Sequence, residues 1–303
     1  MCKLKNVILM FLICGCLFAQ NDFSYSGKYL GQIPPGLKAK IFLDNVISKK
    51  DEPEMCAAFT ADAKEFYFNK LLDGNWAIYF TKEIDGKWTE PKPMEFSGDF
   101  TDRDFTISPD GNKIYFGSDR PLKKGGPLKD DLDIFVSERT TDGWSEPKRV
   151  LGRINTYFGE NYPSVATNGN MYFFSGREDS HGGCDIYFSE FKNGKYRKAK
   201  VLSSEINSEK HDWDSVIAPD ESFIIYSSMD REDTIGGQDL YISFKNKNGF
   251  WTKAKNMGRA INSPYAEICP SISNDGKYLF FTSRRRGKAD IFWIDIKIID
   301  NFR

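Results

Sequence analysis

Five carboxylates recur at one position of a repeated pattern. Glu54, Asp102, Glu160, Asp212 and Glu267 each stand eight residues ahead of a turn centred on Asp62, Asp110, Asn168, Asp220 or Asp275. Acids make up 43 of 303 residues, so five out of five at one position is not a product of composition. Two residues further on, on the same strand face, come Cys56, Asp104, Tyr162, Asp214 and Cys269. A ring of such groups at a channel mouth could take a cation, a basic peptide or an amino sugar. Asp102, Asp104, Asp212 and Asp214 outnumber their local partners and form a weak candidate metal site. Calcium would suit clustered oxygens, but no EF-hand spacing accompanies them.

A second set of residues offers a structural reading. Arg120, Arg177, Arg231 and Arg285 follow the turns by nine to eleven residues in four of the five units. In a hairpin the start of the first strand lies beside the end of the second, so acid and arginine share one end of each unit. Pairing within the fold and contact with a ligand both fit. These acids and arginines together form the candidate ligand- or partner-binding set.

Other reactive types are sparse. With 2 His in the chain, His-centred metal or relay chemistry has little room, and His181 and His211 read as loop or surface residues. No Gly-x-Ser-x-Gly elbow or His-Glu-x-x-His pair occurs. No catalytic residue is assigned. Cys56 and Cys269 hold equivalent positions in the first and last units, so a disulfide between them would lock a ring, leaving Cys184 as the odd thiol. The Gly-Gly pairs 125–126, 182–183 and 236–237 read as turn formers, since no helix follows to make a phosphate cradle. Trp88, Trp144 and Trp251 recur at one position and read as packing between units. Arg284, Arg285 and Arg286 add positive charge at the acid-bearing end and read as a solvated face. The 42 Lys+Arg against 43 Asp+Glu exclude the basic footprint of a nucleic-acid binder.

The elements that position these residues are strands. Each turn joins two β-rich runs, a third run follows, and a fourth begins at another glycine turn with an aromatic residue. The turns recur at spacings of 48 to 58 residues, the size of a four-stranded propeller blade. The last unit lacks its fourth strand. Residues 37–48 (LKAKIFLDNVIS) align without gaps to residues 252–263 (TKAKNMGRAINS) and supply it from the other end of the chain. The expected fold is all-β, a five-bladed propeller closed by an N-terminal strand. Ala63 and Glu221 replace the turn glycine, which predicts another geometry at those two turns.

Residues 108–116 (SPDGNKIYF), 182–187 (GGCDIY), 236–241 (GGQDLY) and 261–263 (INS) resemble the WD40-like PD40 repeats of TolB-type propellers and of exported single-propeller proteins of Bacteroidetes-like bacteria. The lead-in at residues 29–36 (YLGQIPPG) is similar to theirs. That resemblance implies a propeller serving as a binding module, a scaffold or a peptidase accessory.

Residues 1–19 read as an export signal, with Lys3 and Lys5 ahead of an apolar run. Cleavage after Ala19 and lipidation of Cys16 at a lipobox-like ICGC both fit. Residues 20–36 form a lead-in and 37–303 the propeller. The expected protein is exported, to the periplasm, the outer membrane as a lipoprotein, or the cell surface. It binds an envelope protein or glycan through its charged loop face, touches the membrane only through a lipid anchor, and needs no cofactor. A glycoside hydrolase with carboxylates at the channel mouth, and a docking or gating module for an envelope complex or peptidase, are the alternatives.

Overall fold

A computed structural model describes residues 23–49, 51–123 and 125–303. The export signal, its cleavage point and Cys16 lie outside the described residues. Five antiparallel sheets form the blades of a propeller. Their innermost strands are Glu54–Phe59, Asp102–Ile107, Glu160–Val165, His211–Ile217 and Glu267–Ile272. The second strands are Glu65–Leu72, Lys113–Ser118, Met171–Ser175, Phe223–Met229 and Tyr278–Ser283. The third are Asn75–Ile84, Asp133–Thr140, Asp185–Ser189, Asp239–Phe244 and Asp290–Asp295. Outer strands are two-residue pieces, of which Lys255–Asn256 in blade 4 is typical.

Ring closure follows the alignment of the two chain segments. Lys40 pairs with Trp293 and Ile41 with Phe292 in blade 5, as Lys255 pairs with Ile242 and Asn256 with Tyr241 in blade 4. Phe42 then wedges fully buried between Phe59 and Phe66 of blade 1 and Phe280 and Trp293 of blade 5. Edge-to-face rings at 5–6 Å add geometric preference to the apolar burial. The closing strand therefore shields the edge of blade 5 and packs the seam with blade 1.

The turns hold one geometry with or without glycine. Gly111, Gly169 and Gly276 have φ of 73°, 87° and 72°, and Ala63 and Glu221 follow at 56° and 58°. This corrects the expectation of another geometry at those two positions. Side chains over-determine the backbone: Asp62 Oδ1 accepts from Thr60 Oγ1 and the Lys64 amide, and Asp110 Oδ1 accepts from the Asn112 amide. At the second site, Glu221 itself accepts from Tyr172 Oη at 2.7 Å and from Asn168 and Asn170, across the seam to blade 3.

The Gly-Gly pairs serve a closer purpose than turning at two of their three sites. A Cβ on Gly182 would stand 1.9 Å from Lys210 O, and one on Gly236 2.1 Å from Tyr265 O. Next to them, the Gly183 and Gly237 amides donate to Lys210 O and Tyr265 O, so these loops lie against the next blade's inner strand. Trp144 and Trp251 pack between units, whereas Trp88 donates its Nε1 proton to Gly27 O of the lead-in. Trp144 Nε1 donates to Tyr67 Oη of the preceding blade at 3.2 Å, with Arg139 stacked on its ring, and Trp251 meets Tyr172 edge-on.

Candidate functional site

Every innermost strand carries a bulge at the same place. The register slips after Met55, Arg103, Asn161, Trp213 and Ile268. The next residue in each, Cys56, Asp104, Tyr162, Asp214 or Cys269, has φ between 43° and 56°. An L-residue in this region costs roughly 1–2 kcal/mol. Three of the amides freed by the bulge bond the preceding blade: Cys56 N to Thr282 Oγ1, Asp104 N to Asn69 Oδ1, and Cys269 N to Asp214 Oδ2. The bulge bends the strand and stitches neighbouring blades at the axis.

The five acids at the strand starts are fully buried. They do not form an open carboxylate funnel, because each is turned into the joint between its blade and the segment arriving from the previous one. Asp102 is held by both terminal nitrogens of Arg120. Glu160 accepts from Arg177 Nη2 at 3.0 Å and from the Thr156 amide at 2.6 Å. Asp212 takes Arg231 Nη2 and the Ser208 amide, each at 2.6 Å, and Glu267 takes Arg285 Nη2 at 3.2 Å and the Ser263 amide at 2.7 Å. The same guanidinium in each blade also donates to a carbonyl of the incoming linker: Phe96, Ile154, Ile206 or Ile261. Acid, arginine and linker carbonyl thus form four copies of one staple.

Glu54 departs from this set, for blade 1 has no such arginine. Its Oε2 stands 3.5 Å from Lys288 Nζ of blade 5, while Oε1 is buried without a partner. Burial outweighs the lysine and pushes the carboxyl up to about 7. Asp102 is also raised by burial, to about 6, against the pull of Arg120.

A second set of buried acids opens the third strands: Asp133, Asp185, Asp239 and Asp290. Asp133 pairs with Lys129 and Arg149, and Asp290 with Lys288. Asp185 accepts from the His181 amide and faces the His181 ring at 3.0 Å. Their recurrence, one Asp at the start of each of four third strands, is visible in the sequence. His211 lies flat on Trp213, with ring centres 4.9 Å apart.

A cavity of about 490 Å³ opens at the end of the ring where the inner strands begin. Its lining includes Trp76, Trp213, Arg103, Arg284, Lys288 and the base of the channel at Asp104, Asp214 and Cys269. Arg284 is exposed and, among the described residues, has no salt bridge. Asp104 is 4% exposed and Cys269 1%, whereas Asp214 is half-buried. Burial and the neighbouring Asp104 charge raise Asp214 to about 7, and burial raises Asp104 as well. The four aspartates of the predicted metal site are therefore divided: Asp102 and Asp212 belong to arginine staples, and Asp104 and Asp214 to the cavity base. Sequence reasoning named neither Arg103, Trp76 nor Trp213, which line this cavity. The one sequence signal shared by Arg103 and Trp213 is their repeat position, each the residue after the recurring acid, Asp102 and Asp212.

Cys56 and Cys269 do meet across the first and last blades, but both thiols are free, which corrects the predicted disulfide. Their sulfurs and an Asp104 oxygen lie within 4.8 Å of one another. The ring is closed by strand pairing and by Phe42 without that covalent bond.

The chain matches no family model and no curated protein sequence. Among solved structures it is similar to a putative TolB from Agrobacterium tumefaciens, at TM-score 0.53 and 16% identity, covering 81% of this chain and 78% of that one. A GH43 endo-arabinanase from Bacillus licheniformis gives TM-score 0.50 and 11% identity, with 82% and 95% covered. TolB from Acinetobacter baumannii gives 0.49 and 16%; the aligned region covers 80% of this chain and 54% of that longer one. At such identities the likeness is one of architecture, and the chain is a five-bladed β-propeller of the shape shared by TolB-type proteins and glycosidases.

Proposed function

We propose that this protein is an exported, non-catalytic binding propeller that receives an acidic glycan at the mouth of its channel. The observation that carries the reading is the division of charge. The ring acids are consumed inside the fold, while Arg284, without a salt bridge among the described residues, shares the cavity with Arg103 and the rings of Trp76 and Trp213. Indole faces suit the C–H surface of a pyranose, and guanidinium groups suit a uronate carboxylate. An amino sugar or basic peptide, the ligand classes expected for a carboxylate funnel, meets the wrong sign of charge at this rim.

Glycosidase chemistry needs two carboxylates that reach the substrate from distinct environments. Asp104 is nearly inaccessible and faces the Cys56 sulfur at 4.0 Å, which favours binding over hydrolysis. The docking of an envelope protein at the same mouth is the competing outcome. Calorimetric titration with oligogalacturonate and with a neutral oligosaccharide of equal length tests the proposal. Binding of the acidic oligomer alone, weakened on the order of 30-fold by Trp213→Ala, is expected. Equal binding of the neutral sugar, or none of either, overturns it.

A further inference from the structure

The axial residues form a second constellation, set below the cavity and independent of the glycan reading. Five blades bring Cys56, Asp104, Tyr162, Asp214 and Cys269 to the axis through their bulges. Tyr162 is committed, its hydroxyl donating to Pro270 O at 3.0 Å. The other four converge; of their donor atoms Asp214 Oδ2 already accepts from the Cys269 amide at 3.2 Å and from Ser227 Oγ at 3.4 Å. Asp104 Oδ1 stands 4.0 Å from Cys56 Sγ, and Asp214 Oδ2 stands 3.9 Å from Cys269 Sγ. Arg103 holds the far oxygen of Asp104 at 3.5 Å, leaving Oδ1 turned to the sulfur.

We propose that Cys56, Asp104 and Cys269, with Asp214 as the fourth ligand, bind one thiophilic divalent cation of the zinc class. A tetrahedral site with Zn–S of about 2.3 Å and Zn–O of about 2.0 Å places its donor atoms roughly 3.5–3.8 Å apart. The triad, within 4.8 Å, contracts by up to about 1 Å on binding, and Asp214 swings in from its place 3.9 Å from Cys269 Sγ. Two sulfurs select against calcium and magnesium, which take oxygen. The cation would also balance two carboxylates that face a single guanidinium at the channel base. Asp104, Asp214 and Cys269 line the cavity, so an entry path exists. On binding, both thiols give up their protons to solvent and their sulfurs take the metal as thiolates; no oxidant or reductant is involved.

The test uses the full chain with Cys2, Cys14 and Cys16 replaced by serine, so that Cys56, Cys184 and Cys269 are the thiols present. Cobalt(II) is titrated into the reduced, metal-stripped protein as the spectroscopic probe, followed by displacement with zinc. Expected are one equivalent bound, a thiolate-to-cobalt charge-transfer band, and loss of that band in Cys56→Ser and Cys269→Ser but not in Cys184→Ser. Asp214→Asn weakens zinc binding by at least the 10- to 100-fold typical of groups that merely support a ligand. Should a serine variant fail to fold, proton release by the parent decides the matter. At least two protons per zinc are expected near neutral pH, one from each thiol that becomes a thiolate. Absence of the band in the reduced parent overturns the proposal. So do a band that survives in both axial serine variants, zinc uptake without proton release, and a Cys56–Cys269 disulfide in protein isolated without reductant.

Discussion

Blade 1 and blade 3 place a glutamate at the same point of the same strand and treat it differently. Glu160 is enclosed by Arg177, the Thr156 amide and Ser175, all from its own blade or from the linker that enters it. Among the described residues, Glu54 has only Lys288, reaching across the closure from blade 5, and one of its oxygens goes unpaired. Position in the repeat dictates burial in both, but only the arginine at the end of the second strand makes an ionised carboxylate comfortable there. Two sequence features that recur together are therefore one device, and where one member is missing the other becomes a weak point.

The largest effect is expected in blade 3. Arg177→Ala leaves Glu160 buried without its cation and the Ile154 carbonyl without its donor. A loss of about 3–5 kcal/mol in urea unfolding is expected, whereas a loss within about 0.5 kcal/mol would class the pair with ordinary surface bridges.

Glu54→Gln tests the same position in blade 1. A carboxyl at about 7 in the fold and 4.5 unfolded binds its proton more tightly when folded. Its contribution to stability is then fully present below pH 4.5 and is lost as pH rises to about 7. The glutamine variant should lack this part of the pH dependence and be at least as stable as the parent at pH 8. Parallel pH profiles for the two proteins would show that Lys288 already neutralises Glu54.

The smallest effect concerns the turns. Ala63 sits at φ 56° where three other blades carry glycine. Ala63→Gly should stabilise by about 0.5–1 kcal/mol, the relief of left-handed strain reduced by the extra freedom glycine has when unfolded. Destabilisation would mean that packing of the alanine methyl, 2% exposed, outweighs the strain.

Most of the architecture was legible because it is repeated. Turn, strand and aromatic recur five times, and the match of residues 37–48 with 252–263 located the closing strand to the residue, as the Lys40–Trp293 pairing shows. The acid–arginine positions were legible too, but not their burial, which depends on the linker carbonyls of Phe96, Ile154, Ile206 and Ile261 folding over them. The axial bulges left no trace, since Cys56, Asp104 and Tyr162 carry none of the glycine that usually marks a positive φ. The charge at the mouth is harder to read from the repeats. It is set by Arg103 and Arg284, two single residues outside the repeated acid–arginine pattern.

The central claim is that the binding face is cationic and aromatic, with the recurring acids spent inside the fold. Titration of oligogalacturonate into the parent and Arg284→Glu proteins, at low and at moderate salt, tests it most directly. The claim predicts binding by the parent that weakens with salt, and a loss of on the order of 10-fold or more on charge reversal with an unchanged melting temperature. Equal or tighter binding by Arg284→Glu would contradict it.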